Sequence, residues 1–105
     1  MSDKFDNVSV VKKANVFFDG KCVSHSVLFP DGTRKTVGVI MPGSQLTFNV
    51  GAPELMAITS GECSVKIAGE AAFKTYTAGT SFRVAENSSF EIHAKDDVNY
   101  VCSFG

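Results

Sequence analysis

Gly61-Glu62-Cys63-Ser64-Val65-Lys66-Ile67 is the stretch that decides the fold class. Cys63, Val65 and Ile67 fall on one face of an extended chain, and Ser64 and Lys66 on the other. This period of two marks a strand with one dry face. Outward from it, short segments rich in Val, Ile, Phe and Thr recur between turn signals, and none carries helical periodicity over a dozen residues.

Upstream, residues 21–29 run into Pro30-Asp31-Gly32, where Pro presets φ and Gly tolerates a positive φ. Residues 34–41 return as the second arm of a hairpin. Pro42-Gly43-Ser44 turns the chain into a strand over 45–50, and Gly51-Ala52-Pro53 breaks it before a strand over 55–60. Downstream strands are expected at 73–77, 80–84, 90–94 and 98–104, the last two joined through Lys95-Asp96-Asp97. Eight or nine short strands at this spacing predict an all-β jelly-roll barrel, whose closure also limits exposed edges. Residues 1–15 read either as an edge strand, centred on 8–12 and available to a second subunit, or as a flexible, solvated N-terminal segment. With no repeat, linker or low-complexity tract, residues 1–105 read as a single domain.

Hydrophobic residues make up 44% and charged residues 20%, the balance of a chain that folds rather than one that stays disordered. The formal charge of −1, with no Lys/Arg run longer than two, argues against polymeric nucleic acid as a partner. Met1-Ser2-Asp3-Lys4-Phe5-Asp6 alternates charge without the apolar stretch of a signal peptide, and no uncharged run is long enough to span a bilayer. The expectation is a cytoplasmic protein with no membrane partner. Cys22, Cys63 and Cys102 are an odd number at wide spacing, each among strand residues, and are expected to be reduced core thiols.

Arg34 follows the hairpin turn and opens a strand, where a planar guanidinium can grip phosphate bidentately or simply sit in solvent. Gly32-Thr33-Arg34-Lys35-Thr36 is not a phosphate loop, because the spaced glycines are missing and no helix follows. Glu54 stands between Pro53 and an apolar strand; its carboxylate reads as an acceptor for sugar hydroxyls, as a stabiliser of a cationic centre, or as a surface acid beside a turn. Phe48, Phe82, Phe90 and Tyr100 lie in different strands and either converge on a planar ligand or fill the core. His25 and His93 have no His, Asp or Cys at ligand spacing and read as satisfied or exposed histidines. The residues alone are compatible with a β-barrel that carries an anion-and-ring pocket, and equally with one whose charges are on the surface and whose rings fill the core.

The spacing also resembles that of a small cupin. Glu54, six intervening residues and Gly61 fit the close of a first cupin-type motif, and Gly79 fits the opening of a second. Where that motif's metal-binding histidines would stand, near 47, 49 and 90, the chain has Thr47, Asn49 and Phe90, which bind transition metals poorly. No metal is expected.

Phe18-x-Gly20-Lys21, Arg34-x-x-Val37-Gly38-Val39, Thr47-Phe48, Pro53-Glu54-x-Met56, Ser60-Gly61, Tyr76-x-Ala78-Gly79, Phe82-x-Val84, Phe90 and Tyr100-x-Cys102, in this order, resemble the small cupin-type pyrimidine/purine nucleoside phosphorylases. The likeness covers residues 17–104. It departs at Leu55, where the family often has a second acid, and at Ala85-Glu86-Asn87, where a Pro-Gly pair is common. The resemblance implies reversible phosphorolysis of purine and pyrimidine nucleosides to free base and ribose 1-phosphate, with inorganic phosphate as co-substrate and no other cofactor. It implies Arg34 for phosphate, Glu54 for the ribose or its developing positive charge, Phe48, Phe82, Phe90 and Tyr100 for sugar and base faces, and Thr47 and Asn49 for added hydrogen bonds. A homodimer is the expectation by analogy with small cupins. The competing readings are a non-catalytic small-ligand sensor in the same barrel, a metal-dependent cupin enzyme, and a purely structural interaction module.

Overall fold

Each apolar alternation becomes a strand where a turn residue lets the chain reverse. The computed structural model describes residues 3–105, and its strands in chain order are β1 (Ser9–Val10), β2 (Asn15–Phe17), β3 (Cys22–Leu28), β4 (Arg34–Ile40), β5 (Gln45–Val50), β6 (Glu54–Ser60), β7 (Glu62–Ile67), β8 (Lys74–Thr77), β9 (Ser81–Val84), β10 (Ser88–Ala94) and β11 (Val98–Phe104). A seven-stranded sheet runs β1-β3-β4-β11-β6-β9 with β2 also paired to β3, and a four-stranded sheet runs β5-β10-β7-β8. The two stacked sheets are the all-β jelly-roll arrangement expected above.

Two details at the N-terminus add to that expectation. The edge strand is only Ser9–Val10 and pairs with Leu28 and Val27 of its own chain. The sequence reading did not anticipate β2, which pairs Asn15, Val16 and Phe17 with Ser24, Val23 and Cys22. Residues 1 and 2 of the expected edge segment lie outside the described residues.

The inner faces of the sheets meet in one core. Ile40, Met56, Ile58 and Val98 of the large sheet and Leu46, Val50, Val65, Phe90 and Ile92 of the small one are buried. Cys22, Cys63 and Cys102 are buried and free, as their strand settings implied. At the β3–β4 turn, Gly32 takes φ +88, and the Asp31 carboxylate accepts hydrogen bonds from the backbone and hydroxyl of Thr33. Gly61 is fixed for a different reason. Its φ is +86, and a Cβ there would stand 2.4 Å from the Asp97 carbonyl oxygen.

What positions the site is the register of the large sheet, because residues paired across strands point their side chains to the same face. One inward row is Asn15-Ser24-Gly38-Tyr100-Ile58, taken across β2, β3, β4, β11 and β6. Two residues along, Ser26, Thr36, Cys102, Met56 and Phe82 form the next. Continuing the Lys35–Ser103 register by one step sets Arg34 beside Phe104, which pairs with Glu54.

Candidate functional site

These rows floor a cavity of about 310 Å³, near the lower end of the roughly 300–1,000 Å³ common for small-molecule sites. Arg34, Phe104 and Glu54 line one end, and Asn15, Ser24 and Tyr100 lie deeper along the strands. Phe48 and Phe90 form the roof from the small sheet, and Asn49, exposed on the other face of β5 from Phe48, borders the cavity at its rim. Six of the eight residues expected at a site therefore converge on one cavity: Arg34, Phe48, Asn49, Glu54, Phe90 and Tyr100.

Thr47 and Phe82 are not among its lining residues. On β5, Leu46 and Val50 are buried and Phe48 half-buried, so the intervening Thr47 points outward, to a surface hollow beside Lys66 and Glu91. Phe82 is buried one layer behind the site, its ring edge-to-face on Phe90 at 5.3 Å and tilted against Tyr76 at 5.0 Å. It supports the wall and does not form it.

The electrostatics differ sharply along the cavity. The Arg34 guanidinium lies over the Phe104 ring, 4.4 Å from its centroid, and Nη1 donates to Ser26 Oγ at 3.4 Å. Neither contact cancels its charge, and among the described residues no ion pair includes Arg34. Glu54 is half-buried, and this desolvation raises its carboxyl above the usual value, while a hydrogen bond from Cys102 partly offsets the rise. The Cys102 thiol is pushed up to about 12 by burial and by Glu54, so it stays a thiol and donates.

Deeper in, Asn15 Nδ2 donates to Ser24 Oγ at 3.3 Å, and the Tyr100 phenol meets Cys22 Sγ at 3.4 Å beside Ser24, its neighbour across Gly38 in the same row. Burial holds Tyr100 well above its ordinary value, so the phenol stays neutral. Phe48 stacks on Phe90 at 5.3 Å and receives Phe17 and Phe18 edge-on at 6.4 and 5.2 Å. Phe18 and Asp19 both take left-handed φ values, 52° and 55°, which brings the Phe18 ring back over the roof. The histidines lie elsewhere. His25 Nδ1 meets Val11 O at 3.1 Å, and His93 Nε2 meets Glu91 Oε2 at 2.6 Å. Among the described residues no group of three or more His, Cys, Asp or Glu is arranged to hold a metal ion.

An unneutralised cation, a raised carboxyl and a roof of ring faces in one small cavity frame the comparison with known proteins. The family model described as Pyrimidine/purine nucleoside phosphorylase matches residues 12–104. The chain belongs to this family. A protein of that name from Cupriavidus pinatubonensis is 63% identical over 102 residues, covering 97% of this chain and 96% of its own. A crystal structure of a protein of unknown function from Acinetobacter superposes with a TM-score of 0.96 at 50% identity, over 99% of this chain and 100% of that one. An RmlC-like cupin from Shewanella frigidimarina, 16% identical with a TM-score of 0.71 over 96% of this chain and 86% of its own, shares the fold.

Within this nucleoside phosphorylase family scaffold, the sequence reading left out Asn15, Phe17, Ser24, Thr36, Met56, Cys102 and Phe104, all of which line the cavity. For three of them the signal was present. Once Arg34 and Tyr100 face inward, period two carries Thr36, Cys102 and Phe104 inward with them.

Proposed function

We infer that this protein is a nucleoside phosphorylase that holds inorganic phosphate at Arg34 and a nucleoside between Glu54 and the ring faces of Phe48, Phe90 and Tyr100. The observation that carries the reading is the uncompensated guanidinium facing the same cavity as a carboxyl and stacked aromatic rings. Membership of the family supports it independently. A phosphate oxygen attacks the anomeric carbon of the ribose, the C1′–N bond breaks, and its electron pair leaves with the base, which takes up a proton. The products are free base and ribose 1-phosphate, and the reaction runs in both directions.

Each group has a task in that displacement. Arg34 presents N–H donors to phosphate oxygens in charge-assisted hydrogen bonds. Glu54, ionised, meets the ribose hydroxyls or the positive charge that develops on the ring as the base departs. Phe48, Phe90 and Tyr100 offer faces to sugar and base, and Asn49 at the rim adds a hydrogen-bonding edge. Stacking tolerates any base because every base has a π-face, so the specificity is broad across purines and pyrimidines.

The transfer is that of a pentosyltransferase and needs no metal or organic cofactor, a reading supported by the lining of the cavity, where Phe90 stands in place of a cupin ligand and no histidine accompanies Glu54. The molecule works in the cytoplasm as a homodimer. The outer face of the large sheet supports this pairing, since Val8, Val10, Val27, Val37 and Val101 line a groove of about 730 Å³ there. Sedimentation at micromolar concentration gives twice the chain mass if the pairing holds.

The direct test is phosphate-dependent base release from uridine, adenosine, guanosine and inosine. Release from none of the four overturns the enzyme reading, and binding without turnover replaces it with a ligand-binding domain. Arg34→Ala is expected to raise the KM for phosphate by roughly ten- to a hundredfold, the range of one charged hydrogen-bonding partner. Dialysis against a chelator is expected to leave the rate unchanged.

A further inference from the structure

The inward row Arg34-Phe104-Glu54 places a phenyl ring between the cation and the carboxyl of the cavity. Strands lie about 4.8 Å apart, so β4 and β6, with β11 between them, are separated by about 10 Å. An arginine can bridge that gap to a carboxylate when nothing stands in it. Here the Phe104 ring fills it, the guanidinium lies 4.4 Å over the ring centroid, and Arg34 and Glu54 form no ion pair although both line the same cavity.

The kind of contact matters as much as the separation. A carboxylate would take up the N–H edges of the guanidinium and cancel its charge. A ring face attracts the cation through its quadrupole and leaves those edges free. One donor goes to Ser26 Oγ, which steadies the group without neutralising it.

We propose that Phe104 is a positioning residue for phosphate, acting as spacer and platform: it holds Arg34 away from Glu54 and turns the free N–H edges of Arg34 into the cavity. The proposal rests on the reading of Arg34 as the phosphate ligand. It explains why an aromatic residue, half-buried at the end of β11, belongs to the site.

The test separates phosphate from nucleoside. Phe104→Leu keeps an apolar side chain without a ring face, and is expected to raise the KM for phosphate about tenfold while the KM for nucleoside moves less than about twofold. The loss falls on this KM far more than on kcat, and Phe104→Tyr, which keeps the face, restores it. The rise in melting temperature produced by inorganic phosphate should shrink in Phe104→Leu and return in Phe104→Tyr. Where Phe104→Leu does not fold, Phe104→Met carries the same expectation. An unchanged KM for phosphate overturns the proposal, as does a parallel loss on both substrates. If the parent protein releases no base, the functional reading falls by itself. The phosphate titration then still decides Phe104, and equal thermal shifts in parent and Phe104→Leu reject it.

Discussion

The Tyr100 ring lies against Gly38, its partner across β4 and β11, closely enough that a Cβ at position 38 would stand 2.7 Å from both Cζ and Oη of the phenol and 2.8 Å from the Val23 carbonyl oxygen. A glycine in mid-strand normally weakens a sheet. This one clears the space in which the phenol reaches Cys22. Gly38→Ala is therefore expected to destabilise the fold by about 1–3 kcal/mol in chemical denaturation, the range for overpacking a filled site. It should also lower kcat/KM by displacing Tyr100 from the cavity floor.

Glu54 sets function against stability. Its carboxyl is raised above its ordinary value of 4.5, so it favours the folded state most when neutral, below that value, and the contribution is lost as pH rises through the folded pKa. Glu54→Gln removes the buried charge. The variant should melt a few degrees higher than the parent near pH 7, roughly, with the gap closing below pH 4.5, while kcat falls about 10²-fold or more. Melting curves across pH and steady-state rates check both halves.

Cys102 tunes the same carboxyl. Its hydrogen bond lowers the Glu54 pKa, so Cys102→Ala is expected to raise that pKa and move the acid limb of the kcat/KM profile to higher pH. Cys102→Ser keeps a donor and should leave the limb near its original place. An unmoved limb in Cys102→Ala would dismiss the link.

Phe82 and Thr47 give opposite outcomes for two residues that the sequence placed together. Phe82→Ala is expected to cost about 3–5 kcal/mol of stability, because it empties a buried position under Phe90. Thr47→Ala, on the outer face of β5, should leave KM for both substrates and kcat within about twofold of the parent, since surface changes away from special features are small. Denaturant midpoints and initial rates distinguish them.

The strands from β3 to β11 were legible because their pattern is local: alternating apolar residues between Gly, Pro and Asp turns. Gln45–Val50 and Val98–Phe104 match the expected bounds residue for residue. Arg34 and Glu54 were legible as chemistry, each a charge beside a turn at the end of a strand. Thr47 was misplaced because its position was taken from an analogous ligand rather than from the pleat, which could not point Thr47 and Phe48 to one face. Asn15 and Phe17 were missed because the Asp19-Gly20 turn that follows β2 was not taken as a hairpin signal; β2 is three residues long and pairs with β3 across that turn.

The rows also act as a ruler. Arg34 and Gly38 are four residues apart on β4, about 13 Å of strand, and that distance separates the anion end of the cavity from Tyr100, Ser24 and Asn15. No rotamer and no loop sets it; the pleat does. A ligand must match this length to touch both ends. One residue inserted between Arg34 and Gly38 would turn the guanidinium to the outer face and leave Tyr100 where it is. Side chains at the ends are free to change, and with them the ligand's chemistry, but the ligand's size is written into the backbone.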